Sequence, residues 1–218
     1  MNLDFSFLSD HWQDYARSAW VTLELSFFGV LLGTILGVVV APLRLSRMWP
    51  IKFLASAYIE LIRGTPMLVQ ILIIHYGLTV IGINLPAFMS GVVALTINSS
   101  AYMAEVFRAG IQAIDKGQTE AARSLGLTHG MTLRYIILPQ AFRNMLPAIG
   151  NEFIIIIKDS SLVSMIGIAE IIYTARAVQG VTFQPLAPLL VAAALYFVIT
   201  FTLANLLAWV ERRLSASR

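Results

Sequence analysis

Five long apolar runs, at 18–43, 53–82, 86–113, 139–168 and 185–210, are set apart by short polar stretches. About 20 helical residues cross roughly 30 Å of hydrocarbon, so each run is long enough to span a bilayer. In lipid only helices and closed barrels satisfy the backbone. These unbroken runs lack the alternation, in segments of about ten residues, that marks a barrel. The expected fold is therefore an all-α integral membrane protein with five transmembrane helices. Composition agrees: 58% of the 218 residues are hydrophobic and 12% charged, and the mean hydropathy is +0.77. That is more apolar surface than a soluble domain of this length can bury. One membrane domain, 18–212, is expected, between an external segment 1–17 and a tail 213–218. The loops are too short for a second soluble domain, and no internal repeat is evident.

The second run is too long for one straight crossing and contains Glu60, Arg63 and then Gly64-Thr65-Pro66. A break is expected there, with Thr65 as N-cap and Pro66 as the first helical residue of the next helix. Residues 53–63 then form an amphipathic entry helix with Glu60 and Arg63 paired at i, i+3, and the spanning part is about 66–82. Gly82, Asn84 and Pro86 make the turn into the third run.

Charge placement orients the chain. Eleven of the fifteen basic residues fall in 44–52 (Arg44, Arg47, Lys52), 108–143 (Arg108, Lys116, Arg123, Arg134, Arg143) and the tail (Arg212, Arg213, Arg218). The opposite side carries only Arg17 and Arg176, while Arg63 and Lys158 lie inside apolar runs. By the positive-inside rule the N-terminus is outside and the C-terminus cytoplasmic. The first residues, with Asp4, Asp10 and Asp14, lack the basic start and apolar core of a signal peptide, so the first membrane helix is expected to be retained. There is no cysteine, which excludes disulfides, thiolate metal sites and a Cys nucleophile. Nothing in the small net charge of +3 suggests nucleic acid.

On the side assigned to the cytoplasm lies a polar island, 115–130. Its core, Glu120-Ala121-Ala122-Arg123-Ser124-Leu125-Gly126, is followed after nine residues by Ile136-Ile137-Leu138-Pro139. A short helix is expected over about 117–127, starting at Gln118 or Thr119 with Glu120 in its first turn and ending at Gly126. Ala121, Ala122, Leu125 and Leu127 give it a small apolar docking face, and Glu120 and Arg123 supply charged edges. The bland reading is a solvated connection between two spans, which would need neither the alanine pair nor the fixed distance to Leu138-Pro139.

The spacing Glu-Ala-Ala, three residues, Gly, nine residues, Ile-x-Leu-Pro resembles the cytoplasmic signature of the permease subunits of bacterial binding-protein-dependent ABC importers. The resemblance covers about residues 18 to 212. Ile62-Arg63-Gly64-Thr65-Pro66-Met67-Leu68-Val69-Gln70, Asn151-Glu152-Phe153 and Ile157-Lys158-Asp159-Ser160-Ser161-Leu162 are similar to the polar amino acid permeases, the branch importing histidine, arginine, glutamine, glutamate or cystine. The resemblance implies that the short helix is a coupling helix seated in a cytoplasmic ABC ATPase dimer. It also implies a second permease subunit, identical or a close homologue, an extracytoplasmic amino acid-binding protein, and a place in the bacterial inner membrane. The chain has no Gly-rich loop ending in Lys-Ser or Lys-Thr. No cofactor is therefore expected in it, ATP and Mg belonging to the partner ATPase.

Polar residues inside the membrane are expensive facing lipid and mark function. The fourth run contains Asn151, Glu152, Lys158, Asp159, Ser160 and Ser161. Glu152 and Asp159, seven apart, share a helix face, and Asn151 and Lys158 form the adjacent row. An amino acid zwitterion needs acceptors for its ammonium group, which Glu152 and Asp159 supply. It needs donors for its carboxylate, which Lys158 or the N–H groups of a broken helix near Ser160-Ser161 supply. Asn98, Ser99 and Ser100 add neutral groups from the third run. Lys158 fits equally as a structural ion pair with Glu152 or Asp159, and Gln70 either lines the path or bonds a neighbouring carbonyl. His75, alone in an apolar helix, reads as a packed residue, and Glu105 with Arg108 as a helix-end salt bridge. Two other classes fit parts of the sequence. One is an intramembrane hydrolase using Ser160 or Ser161 with His75 or Asp159, although no nucleophile motif surrounds them. The other is a non-transporting anchor or sensor for an ATPase, which leaves the intramembrane charges unexplained.

Overall fold

The computed structural model describes residues 3–215. Residues 1–2 of the expected external segment and 216–218 of the expected tail, Arg218 included, lie outside the described residues. All described secondary structure is helical. In chain order it comprises α1 (Leu8–Arg44), α2 (Trp49–Gly64), α3 (Met67–Val80), α4 (Ala87–Gln112), α5 (Lys116–Ser124), α6 (His129–Thr132), α7 (Leu138–Asp159), α8 (Ile171–Thr182) and α9 (Ala187–Ser215). A π-helical turn, Leu133–Ile137, leads into α7, and a 3-10 turn, Ser160–Ile166, follows it. By length and composition α1, α4 and α9 can each cross a membrane alone, and α2 with α3 would make a fourth span bent by 108°. Large apolar side chains such as Phe27, Ile35, Val39, Phe197 and Phe201 stand exposed along α1 and α9, as a lipid-facing surface requires.

Helix α1 is apolar on all sides, and its buried face is the face of small residues: Ser18, Thr22, Ser26, Gly29, Gly33, Gly37 and Ala41. The three hydroxyls donate back to Tyr15 O, Ser18 O and Thr22 O at 3.0, 3.0 and 2.7 Å, so none is left bare in the seam. Gly29, Gly33 and Gly37 lie against Leu95, Ser99 and Met103, a matching i, i+4, i+8 row on α4. A Cβ added at each would stand 2.7, 2.6 and 2.5 Å from the partner's Cβ. Missing Cβ atoms let two membrane helices approach closely and pack by van der Waals contact, where no hydrophobic force drives them together. Around this pair the remaining helices form three apolar clusters. One contains Leu25, Ile71, Leu95, Ile156 and Val163. A second contains Ile59, Met103, Phe107 and Met145, and the third Tyr15, Ile171, Val178 and Ala192.

The break in the second run falls where the sequence places it, but its end groups are used differently. Thr65 is extended, as a residue before proline must be, and terminates α2. Its hydroxyl donates to Leu61 O at 2.9 Å rather than capping α3, whose N-cap is Pro66. The hydroxyl is spent on the carbonyls freed at the end of α2, Leu61 O and Ile62 O. Nor do Glu60 and Arg63 pair. Glu60 accepts from Arg44 of α1 at 3.3 Å, Arg44 also reaches Glu105 at 3.1 Å, and Glu105 holds Arg108 at 2.8 Å. Arg63 lies over the Tyr102 ring, 5.3 Å from its centroid. The Glu105–Arg108 bridge is thus part of a charge network tying α1, α2 and α4 together.

Two further features differ from expectation. The α-helix of the fourth run ends at Asp159, beside Ser160-Ser161, but no gap in the chain's winding opens there. The helix tightens into the 3-10 turn, and the Ser160 N–H goes to Ile156 O and Lys158 O, so it is not offered to a carboxylate. The connection before the fifth run holds α8, started by the fully buried Glu170. Its carboxylate accepts from Ile172 N and Tyr173 N at 2.9 and 2.7 Å and from Tyr196 Oη on α9 at 2.6 Å.

The seam yields a direct prediction. Gly33→Ala lowers stability in detergent by roughly 1–3 kcal/mol, the usual cost of overpacking a close contact. Gly64→Ala, where nothing lies within 4 Å of the added Cβ, leaves the unfolding midpoint unchanged. Equal midpoints for the two variants would contradict the seam.

Candidate functional site

The chain presents two separate polar devices. The first is α5. Asp115 caps it, its carboxylate accepting from Gly117 N at 2.7 Å, so the helix begins before Gln118 and Thr119; a carboxylate outcompetes either as a cap. At the other end Gly126 has φ +84. Gly126 N donates to Arg123 O at 3.0 Å and Leu127 N to Ala122 O at 3.1 Å. This pair of bonds is a Schellman stop, which needs a left-handed residue at that position. Glu120, Ala121, Arg123 and Leu125 are exposed, Leu125 to 84%, whereas Ala122 is buried at 5%. The expected docking face is therefore split. Ala122 seats the helix on its own chain, against α6 and the π-helical turn, and Ala121 with Leu125 point outward beside Glu120. Arg123 Nη1 donates to Leu127 O at 3.4 Å.

The second device lies where α3, α4 and α7 meet. Gln70 Nε2 donates to Ile62 O at 2.7 Å and to Thr65 O at 3.0 Å, and its Oε1 accepts from Asn98 Nδ2 at 3.0 Å. Gln70 thus braces the α2–α3 break from inside and ties it to α4 through the Asn98 amide. One residue on, Ser99 faces Glu152 of α7. Glu152 is only 5% exposed, and neither its Oε1 nor Ser99 Oγ has a hydrogen-bond partner among the described residues. A buried carboxylate oxygen without a donor is costly in a low-dielectric interior. Ser99 is itself held by the seam, since it is the residue Gly33 packs against.

The remaining expected residues are spread along α7. Asp159, half-buried, ends the helix two turns beyond Glu152, and Lys158 beside it is exposed. Among the described residues no ion pair within 4 Å joins Lys158 to Glu152 or Asp159. Ser160 is not brought to this group. It is fully buried, donates to Ile157 O at 2.7 Å and lies near Tyr196 on the α8–α9 side. His75 stacks edge-on against Tyr76, and among the described residues the Ser160 hydroxyl donates to Ile157 O rather than to His75 or Asp159, so the structure shows no hydrogen bond from that serine to either base of the hydrolase reading. Sequence reasoning missed Arg44, whose partners lie on other helices, and Glu170. The second had a readable signal, an acid directly before an apolar helical stretch.

Comparison with known proteins places this arrangement. A family model described as the binding-protein-dependent transport system inner membrane component matches residues 29–216. The chain is 38% identical over 218 residues to the arginine transport system permease protein ArtQ of Bacillus subtilis (strain 168), covering 100% of both. It is 36% identical over 215 residues to the probable glutamine ABC transporter permease protein GlnM of the same organism, covering 99% of this chain and 100% of that one. Among solved structures, an amino acid ABC transporter crystallised with histidines superposes with a TM-score of 0.94 at 50% identity, over 98% of this chain and 100% of that one. The MetNI methionine ABC transporter shares the fold, with a TM-score of 0.77 at 18% identity over 94% and 98%. Such permease subunits are not themselves enzymes and carry no cofactor of their own. With a matched family model over most of its length and near full-length relatives, the chain belongs to the binding-protein-dependent transport system inner membrane component family, as an amino acid ABC transporter permease.

Proposed function

We propose that this chain forms half of the membrane pathway of an ABC importer for a polar L-amino acid in the bacterial inner membrane. In this reading it has five spans, with the N-terminus outside, the C-terminus cytoplasmic and α7 as the fourth span. Residues 18–212 make the membrane domain. It pairs with a second permease subunit, identical or closely related, receives its substrate from an extracytoplasmic binding protein, and is driven by an ATPase dimer that holds the ATP and Mg.

The observation that carries the reading is Glu152: an acid buried between α4 and α7 whose Oε1 has no hydrogen-bond partner among the described residues, beside Ser99 and near Asn98, the neighbour of Ser99 on α4. That is an acceptor set for an ammonium group in a place where lipid is excluded. Asp159 extends it along the same face, and Lys158, exposed and without an ion pair among the described residues, is the donor for the substrate carboxylate. Gln70 serves by holding Asn98 and the α2–α3 break in place, and Ser160 by fixing the end of α7. The names of the arginine and glutamine relatives, and of the L-cystine transport system permease protein TcyB at 37% identity, support the substrate class. Glu120, Ala121, Ala122, Arg123 and Gly126 form the coupling helix. Glu120 and Arg123 face the ATPase, while Ala122 and Gly126 anchor and end the helix. When the ATPases close, α5 moves and the packed helices rock about the site, giving alternating access.

Two outcomes follow for the chain assembled in lipid with its ATPase and binding protein. ATP hydrolysis rises with one of the polar amino acids, and Glu120→Lys, which reverses the charge on the exposed edge of α5, abolishes that rise while the complex stays assembled. Undiminished stimulation in Glu120→Lys would contradict the coupling role. Glu152→Gln removes one charged hydrogen bond to the ammonium group, a loss of roughly tenfold or more in affinity. The amino acid concentration giving half-maximal stimulation rises accordingly, and an unchanged value would remove Glu152 from the site.

A further inference from the structure

The joint between α5 and α7 carries an irregularity whose cause is written in the sequence. Across Leu133–Ile137 the chain winds as a π-helical turn, with Leu138 N–H closing on Leu133 O instead of Arg134 O, its α-helical partner. Pro139 comes next. Lacking an N–H, it can close neither the Tyr135 carbonyl in α register nor the Arg134 carbonyl in π register. Beyond it the α register resumes. Gln140 Nε2 donates to Ile136 O at 2.8 Å and reaches Gln118 Oε1 on α5 at 3.5 Å. One side chain at the head of α7 therefore touches both the wide turn and α5. A cavity of about 450 Å³, lined by Ile111, Thr119, Leu133 and Ile137 among others, lies beside the turn and gives it room on that side.

We propose that this turn is a two-state joint, and that Gln140 is the positioning residue that keeps α5 in register with α7. In the second state Leu138 N–H bonds Arg134 O. The exchange shifts the successive i→i−5 bonds of the turn to i→i−4 bonds without changing their number, so the two states lie close in free energy. It rotates α5 against α7 by about 100°, the turn contributed by one α-helical residue. Pro139 is what permits both states, because no N–H at 139 competes for the carbonyls in between. Since α7 carries Glu152 and Asp159, the joint lies between the helix that meets the ATPase and the helix that meets the substrate. The inference rests on the transport reading and deepens it by naming the residues through which motion passes.

Pro139→Ala supplies the missing N–H, which locks one register by closing either Tyr135 O in the α-helix or Arg134 O in the π turn. In proteoliposomes with ATPase and binding protein, and with radiolabelled arginine, glutamine and cystine as probes, the amount imported per ATP hydrolysed falls by about tenfold, within the range of ordinary coupling free energies. Gln140→Leu, at an exposed position, lowers the same ratio. Gln140→Lys, whose ammonium group can donate to both oxygens, restores it, which a merely structural role would not require. Wild-type ratios in both Pro139→Ala and Gln140→Leu would overturn the joint. If Pro139→Ala does not assemble, the Gln140 pair decides alone.

A second readout does not depend on import. The chain has no native cysteine, so spin labels at Ser124→Cys and Phe142→Cys report the distance from α5 to α7. Two distance populations that exchange weight on adding ATP, reduced to one in Pro139→Ala, support the joint, and a single unchanging population overturns it. A wild-type complex that imports none of the probes would instead tell against the transport reading itself.

Discussion

The close seam of α1 against α4 is the contact on which the other elements depend. In a bilayer, apolar side chains gain nothing by leaving lipid for protein, so helices associate only where their surfaces fit. Gly29, Gly33 and Gly37 supply that fit against Leu95, Ser99 and Met103. The seam also sets the depth of α4, and α4 carries polar contacts to α1, α3 and α7. Asn98 reaches Gln70 on one side, Ser99 faces Glu152 on another, and Glu105 gathers Arg44 and Arg108 at the end. The chain has placed its smallest side chains where helices must touch, with Ser99 in the seam itself and Asn98 one residue away.

Buried polar groups divide accordingly into those that brace and those left open. Gln70, Glu170 and Tyr196 spend their donors and acceptors on protein partners, and each closes a place where the backbone ends or turns. Glu152 Oε1 and Ser99 Oγ, which face each other, have no such bond among the described residues. A satisfied polar network rigidifies its surroundings, whereas an unsatisfied one stores a cost that a ligand can relieve. Satisfied groups at the α2–α3 break and at the start of α8 hold the frame, and the open acid between α4 and α7 is the element suited to recognising a cation.

Much of this was legible in the sequence, for reasons that particular residues make plain. Run lengths revealed α1, α4 and α9 because nothing but hydropathy is needed to find them. Gly64-Thr65-Pro66 marked the break because proline excludes helix before it, and Gly126 marked the end of α5 because few other residues accept its backbone angle. The seam was hidden by the same uniformity that exposed α1 as a span. Where every face is apolar, hydrophobic period carries no information, and only the four-residue spacing of glycines does. Pairing rules that look along one helix assigned Glu60 to Arg63 and could not see Arg44 approaching from another. For the site, the residue types on α7 were readable, but the distinction between the bracing Gln70 and the open Glu152 depends on which carbonyls lie within reach, and that is set only by the fold.

The coupling helix and the buried acid have a use together only if this chain conducts. The direct measurement is uptake of radiolabelled polar amino acid into proteoliposomes containing the permease, its ATPase and its binding protein, with ATP supplied only on the ATPase side. Inward accumulation against a gradient, dependent on ATP and on the binding protein, is the result predicted. Full ATP hydrolysis by an assembled complex with no accumulation of any polar amino acid would contradict it, leaving a membrane anchor for an ATPase in its place.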